Sequence, residues 1–337
     1  MNVARPTMLR ASSLALLAVC CALAPASAAV AHNGTGGSSS DYRIEIEGWR
    51  GDRTGVELRI VELGNRLELR RTTAASVMVL GYSGEPYLRL DAAGVSENVN
   101  SPAHYLNLDR FASTDPPASA SPHAQPSWRQ LTTGSSVRWH DHRAHWMSNT
   151  PRADVVAGPD VERVIFPANA VDLVVDGRDV SALIRVTWLP PPKRLLWLGA
   201  AAILGMATAA GFVLVTAMKR WSPPAALVAA LAALAGQGAS TTRYVFGLAV
   251  VAVALAAALV RWRLVAAMSA AAAGVLATTR IEAFEHELLA GWPTAVVQRV
   301  ALTTALALCL GVVGAAIVGA LEPTPVGVSA GAERPDR

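Results

Sequence analysis

Charge is scarce in this 337-residue chain. Asp, Glu, Lys and Arg together make up 16% of it, against roughly 25% in an ordinary soluble domain, so a wholly water-exposed protein is excluded. Cysteine is scarcer still. Of the three, Cys20 and Cys21 fall in an N-terminal leader, which leaves only Cys309. A disulfide framework and a thiolate metal site are therefore excluded beyond the leader. No run of Lys and Arg suited to a phosphate backbone occurs, which excludes a nucleic-acid partner. Catalytic signatures are missing as well. Gly81-Tyr82-Ser83-Gly84-Glu85 departs from the nucleophile elbow at its last position. No phosphate-binding glycine loop and no His-Glu-x-x-His occurs. Nothing in the chain reads as an enzyme.

What is present divides into segments. Residues 1–31 read as a secretory signal. Arg5 and Arg10 form its charged start, and Leu14 to Leu23 is an apolar run too short to span a bilayer. Small-residue cleavage patterns follow at Ala26-Ser27-Ala28 and at Ala29-Val30-Ala31; an uncleaved anchor is the alternative. Residues 32–40 are a Gly/Ser-rich flexible leader.

From 41 to 190 the pattern is that of strands. Arg43–Trp49, Val56–Leu63, Asn65–Arg71, Ser76–Tyr82 and Tyr87–Leu90 alternate or run apolar between Gly, Asn and Pro breaks. After a Pro/Ser/Ala-rich stretch (100–127) strands resume at Ser136–His142, Val161–Phe166 and Val171–Val175. A hairpin turn at Asp176-Gly177 leads into Val180–Leu189. This spacing predicts an all-β sandwich. Pro190-Pro191-Pro192 and residues up to 194 form a stiff linker.

Beyond Arg194 long uncharged stretches take over. They hold 24, 22, 17, 16 and 22 residues, at 195–218, 221–242, 244–260, 264–279 and 300–321. A spanning helix needs roughly 17–25 residues, so an α-helical transmembrane bundle of about five helices is expected at 195–218, 223–241, 244–260, 264–279 and 297–320. The fourth is the shortest, and as a re-entrant segment it would leave four spans. A cleaved signal puts the β-domain outside. The loops holding Lys219-Arg220 and Arg261-Arg263 then fall inside, in accord with the positive-inside rule. Residues 321–337 become a disordered cytoplasmic tail. The expected location is the cell membrane, multi-pass, with the bilayer itself as a partner. Between the fourth and fifth stretches, Ile281, Phe284, Leu288 and Trp292 recur at helical spacing among Glu282, Glu285 and Glu287, which predicts an amphipathic turn at the outer surface.

One cluster could carry chemistry: Trp139-His140-Asp141-His142-Arg143-Ala144-His145-Trp146-Met147. It holds three of the chain's seven histidines. On a strand, His140 and His142 would share one face, with His145 folding back as a third ligand and Met147 offering a thioether. Imidazoles suit copper or zinc, and thioether sulfur favours Cu(I). Asp141 would face away and pair with Arg138 or Arg143. Cleavage after Ala31 would put His32 at the mature N-terminus, where amine and imidazole could chelate copper together. The competing reading is structural: Trp139 and Trp146 pack into a core corner and the histidines are merely hydrogen-bonded. His104 and His123 lie in loops without assignment.

The segments Leu80–Arg89, Ser101–Asn107, Arg138–Met147 and Trp188–Pro192 together resemble a group of uncharacterised exported membrane proteins of actinobacterial type that carry a Trp-His-Asp-His-Arg-x-His-Trp-Met motif. The resemblance covers the β-domain and the first helix. It implies the layout of signal, β-domain and helix bundle, and no activity. Two functional expectations follow from the residues. One is a membrane-anchored extracytoplasmic binding module holding copper or another divalent metal. The other is an accessory subunit that docks on a cell-envelope membrane complex without a metal.

Overall fold

The computed structural model describes residues 39–148, 150–238 and 241–321. The leader, with both cleavage patterns and His32, lies outside the described residues, as does the tail beyond 321. The chain divides into two compact units. One is rich in antiparallel β-sheet and the other is helical.

In the first unit, seven strands form one sheet in the order β2-β11-β10-β5-β6-β7-β8. They are β2 (Tyr42–Arg50), β5 (Val77–Leu80), β6 (Pro86–Asp91), β7 (Gly94–Asn98), β8 (Trp128–Thr132), β10 (Arg163–Val175) and β11 (Arg178–Trp188). A second sheet has the order β3-β4-β9, with β3 at Val56–Val61, β4 at Arg66–Arg71 and β9 at Ser136–Trp139. Every pairing is antiparallel. Alternation dictates which side chains turn inward: Leu67 and Leu69 on β4, and Val171, Leu173 and Val175 on β10, are fully buried while their neighbours are less so. A single apolar core draws on both sheets. The two expected strands 161–166 and 171–175 are one bulged strand, β10, because Pro167 breaks the register without ending the extended backbone. The Asp176-Gly177 hairpin forms as expected. Both residues take positive φ (48° and 76°), the conformation that matches the twist of a two-residue turn. β7, β8 and two short helices, α1 (Pro102–Leu106) and α2 (Ala153–Ala157), were not anticipated.

The first unit also recruits a distant piece of chain, residues 281–297. Ser39 and Ser40 (β1) pair antiparallel with Leu288 and Leu289 (β12). Buried Asp41 fastens the pairing. Its carboxylate accepts from the Glu287 N–H at 2.7 Å and lies 2.7 Å from His286 Nδ1. Arg194 meets Glu285 at 2.6 Å. Phe284 is buried in this segment, which forms a 3-10 turn and a short strand where an amphipathic turn at a membrane surface was expected.

Among the described residues, the second unit is built on five α-helices: α3 (Arg194–Leu214), α4 (Ser222–Ala235), α5 (Thr241–Val260), α6 (Arg263–Thr278) and α7 (Ala295–Leu321). Three of them, α3, α5 and α7, are long and apolar enough to cross a membrane. Their most exposed side chains include large apolar ones, among them Leu195, Leu214 and Leu259. The 22-residue stretch 221–242 yields only the 14-residue α4. Gly236 ends it, and Gln237 is buried beyond, donating to the carbonyls of Ala233 and Leu276 at 2.8 and 3.2 Å. Small residues set the helix spacing. A Cβ on Gly205 of α3 would lie 2.8 Å from Leu310 and 3.1 Å from the Ala307 carbonyl of α7, so glycine permits the close approach.

Candidate functional site

The histidine cluster lies just past the end of β9. That strand stops at Trp139, not at His142, so the expected shared strand face of His140 and His142 does not exist. The reason is Asp141. Its fully buried carboxylate accepts from the Trp139 indole at 2.9 Å and from Arg143 at 2.7 and 2.8 Å, which curls the backbone into a turn. Burial opposes ionisation of Asp141, but the Arg143 guanidinium and these hydrogen bonds outweigh it and hold the carboxyl below the usual range. Of the two expected partners, Arg143 takes Asp141 and Arg138 pairs with Glu68. Arg143 also donates to the Leu80 carbonyl and lies 5.1 Å over the Tyr82 ring.

The turn brings the three imidazoles together without the strand. The rings of His142 and His145 are 5.2 Å apart, and those of His140 and His145 are 6.4 Å apart. All three are buried, His145 completely. Each points one nitrogen at a backbone carbonyl: His140 Nδ1 at Asn65 (2.8 Å), His142 Nε2 at Asp109 (3.3 Å) and His145 Nδ1 at Trp146 (3.4 Å). A carbonyl can only accept, so those nitrogens carry the proton and the opposite ones carry lone pairs. The lone pair of His140 Nε2 accepts from Arg66 Nε at 3.3 Å. His145 Nε2 is buried with no hydrogen-bond partner. Burial, reinforced by nearby Arg110, pushes the His145 pKa down to about 3, and burial lowers that of His140 as well. Both rings are neutral at physiological pH.

Tyr82 braces the corner. Its ring stacks on His142 at 5.9 Å, its hydroxyl accepts from the His142 N–H at 3.0 Å, and it donates to Asn107. Met147 is 40% exposed at the surface beside the cluster. Trp139 belongs to the core and Trp146 packs against it. The tryptophans do close a core corner and the rings are hydrogen-bonded, yet one buried ring nitrogen is left without a partner. Among the described residues, no group of three or more His, Cys, Asp or Glu is arranged to hold a metal ion.

Asn65, Arg66, Asp109 and Arg110 were not anticipated. They reach the cluster from the start of β4 and the residue before it, and from the loop after α1. Nothing in their local pattern marks them. His104, unassigned from sequence, is buried against Glu97 at 3.0 Å, and Glu97 also binds Arg129.

No family model matches the chain, and no curated protein or solved structure is significantly similar to it.

Proposed function

We propose that this protein is a membrane-anchored extracytoplasmic head that binds copper in its cuprous state at His142 and His145. The observation that carries this reading is the unpartnered, buried Nε2 of His145 beside the His142 ring. Its other ring nitrogen is oriented by a backbone carbonyl, as outer partners orient metal-ligating histidines. Burial disfavours the protonated forms of His140 and His145, so protons compete weakly for their lone pairs. Arg66 and Arg110 make the surroundings positive, which penalises a divalent ion more than a monovalent one. Cu(I) suits imidazole and thioether ligands, so Met147 is within the same chemistry. His140 joins only when Arg66 leaves its Nε2. His32 remains a further copper ligand under this reading if cleavage follows Ala31.

The test is titration of the detergent-solubilised full chain with Cu(I) against a chromophoric chelator, with Zn²⁺ in parallel. One equivalent of Cu(I) is expected to bind, weakened at least about tenfold in His145→Ala and His142→Ala. Arg66→Ala, which frees His140, is expected to tighten it. Equal copper retention by the wild type and the His142/His145 double variant, both with a wild-type unfolding transition, refutes the reading.

The finer architecture belongs to the same proposal. Two sheets sharing one core support a sandwich. Five crossings are supported by the pairing of α4 with α5 and α6 and by the Gln237–Leu276 contact, which puts the far ends of α4 and α6 together. At about 1.5 Å per residue these two helices are shorter than a bilayer core, so local thinning accompanies them. Odd crossing numbers put the tail opposite the head.

A second reading, docking on another envelope protein, is favoured by Leu108 and Phe111, which are 55% and 45% exposed on the loop that contacts His142. Crosslinking in cells through Phe111 distinguishes it: recovery of the lone chain only counts against docking.

A further inference from the structure

One end of the helical unit contains a cavity of 390 Å³ that the head's chemistry does not use. Its walls include Phe212 of α3, Leu264 of α6, and Val312 and Ala315 of α7, all apolar. Its polar contributions come from Lys219, Ser222 and Arg263. The two cations belong to different connections, one between α3 and α4 and one opening α6, so the fold and not sequence proximity brings them to one cavity. No ion pair involves either cation among the described residues, whereas most arginines of the head are paired. From Arg194 to Ile281 the sequence holds no Asp or Glu at all. Two unneutralised cations at the mouth of an apolar cavity, at the ends of membrane-spanning helices, present complementary chemistry to a molecule with an anionic phosphate head and a hydrocarbon tail.

We infer that this cavity is a binding site for one anionic phospholipid, with Lys219 and Arg263 on its phosphate and the wall formed by α3 and α7 on an acyl chain. A neutral zwitterionic lipid would bring its own cation against theirs. The free phosphate group alone would lack the apolar contact, because a few methylenes buried against Phe212 and Val312 contribute more than an exposed ion pair does. The lipid is structural and orients this end toward an anionic leaflet, in agreement with the positive charge of the same loops.

The test is native mass spectrometry of the full chain released from nanodiscs of equimolar phosphatidylglycerol and phosphatidylcholine. The expected result is one retained phosphatidylglycerol, preferred about tenfold or more, given two cations near the headgroup. Lys219→Ala/Arg263→Ala should abolish the preference, while Arg220→Ala, which alters the neighbouring cation outside the cavity, should leave it. Millimolar inorganic phosphate or glycerol phosphate should not displace the lipid; displacement by either assigns the site to a free anion and overturns the proposal. Equal retention of both lipids, or a preference lost equally in Arg220→Ala, also overturns it. None of these results bears on copper binding by the head.

Discussion

Acid should unfold the β-rich unit through one ring. His145 is fully buried, its Nε2 has no partner, and its pKa is pushed from about 6.5 in an unfolded chain to about 3. The folded state therefore holds the ring neutral at pH values where the unfolded state protonates it. The linkage follows directly: stability is greatest above the unfolded value and falls as pH drops from about 6.5 toward 3. At about 1.36 kcal/mol per pH unit, the loss is about 2 kcal/mol at pH 5 and between about 4 and 5 kcal/mol at pH 3. This is a sizeable part of the roughly 5–15 kcal/mol that holds a domain folded. The assay is urea unfolding of the full chain in detergent, followed by tryptophan fluorescence at pH 7.5, 6, 5 and 4. Trp139 and Trp146 flank the ring and report its surroundings. His145→Gln also changes packing at every pH, so the comparison is between slopes: the variant should lose the pH dependence that the wild type shows between 6.5 and 4. Wild-type and variant profiles that run parallel would refute the burial argument. An NMR titration of the wild-type ring with an ordinary imidazole pKa would do so independently.

Three other outcomes are expected. Asp141→Asn leaves the Arg143 guanidinium largely buried without its counter-charge, and about 3–5 kcal/mol of stability should be lost, read as a lower urea midpoint at unchanged slope. Gly94→Ala should cost about 1–3 kcal/mol or more, because φ is +118° and a Cβ would lie 2.2 Å from the Thr132 carbonyl oxygen; hydrogen exchange should quicken along β7 and β8 first. The hydrogen bond that His286 donates to Asp41 raises the His286 pKa, so the charged form of that pair contributes stability that is complete below about pH 6.5 and is lost as pH rises through the raised value. Protection of the Leu289 amide should therefore decline at alkaline pH in the wild type but not in Asp41→Asn, after correction for intrinsic exchange; a pH-independent wild type would count against the pair.

Much of the strand layout was legible because one buried face imposes a period of two, as in Arg43–Trp49 and Val56–Val61, and because Asp176-Gly177 tolerates the positive φ of a tight turn. The helical unit was legible from uncharged length alone. What escaped has physical reasons. The length of α4 is set by Gly236 and a buried Gln237 whose partner is a carbonyl 39 positions away, and no local pattern encodes that. The cluster at 140–145 stood out by residue type, but its geometry depends on Asp141 capturing Arg143 and on Arg66, Asp109 and Arg110 arriving from other loops. Residue 281 onward has helical periodicity, and pairing with β1 overrides it.

That last pairing also sets a schedule. Ser39 and Ser40 are among the first described residues of the β-rich unit to be synthesised, and Leu288 and Leu289 follow only after α3, α4, α5 and α6 of the helical unit. At roughly 5–20 residues per second, the ribosome needs about ten to fifty seconds to supply them. For that interval Asp41 waits without His286 or the Glu287 amide, and the nascent head is an unfinished product. A chain whose synthesis stops within the helical unit therefore never receives the strand that pairs with β1.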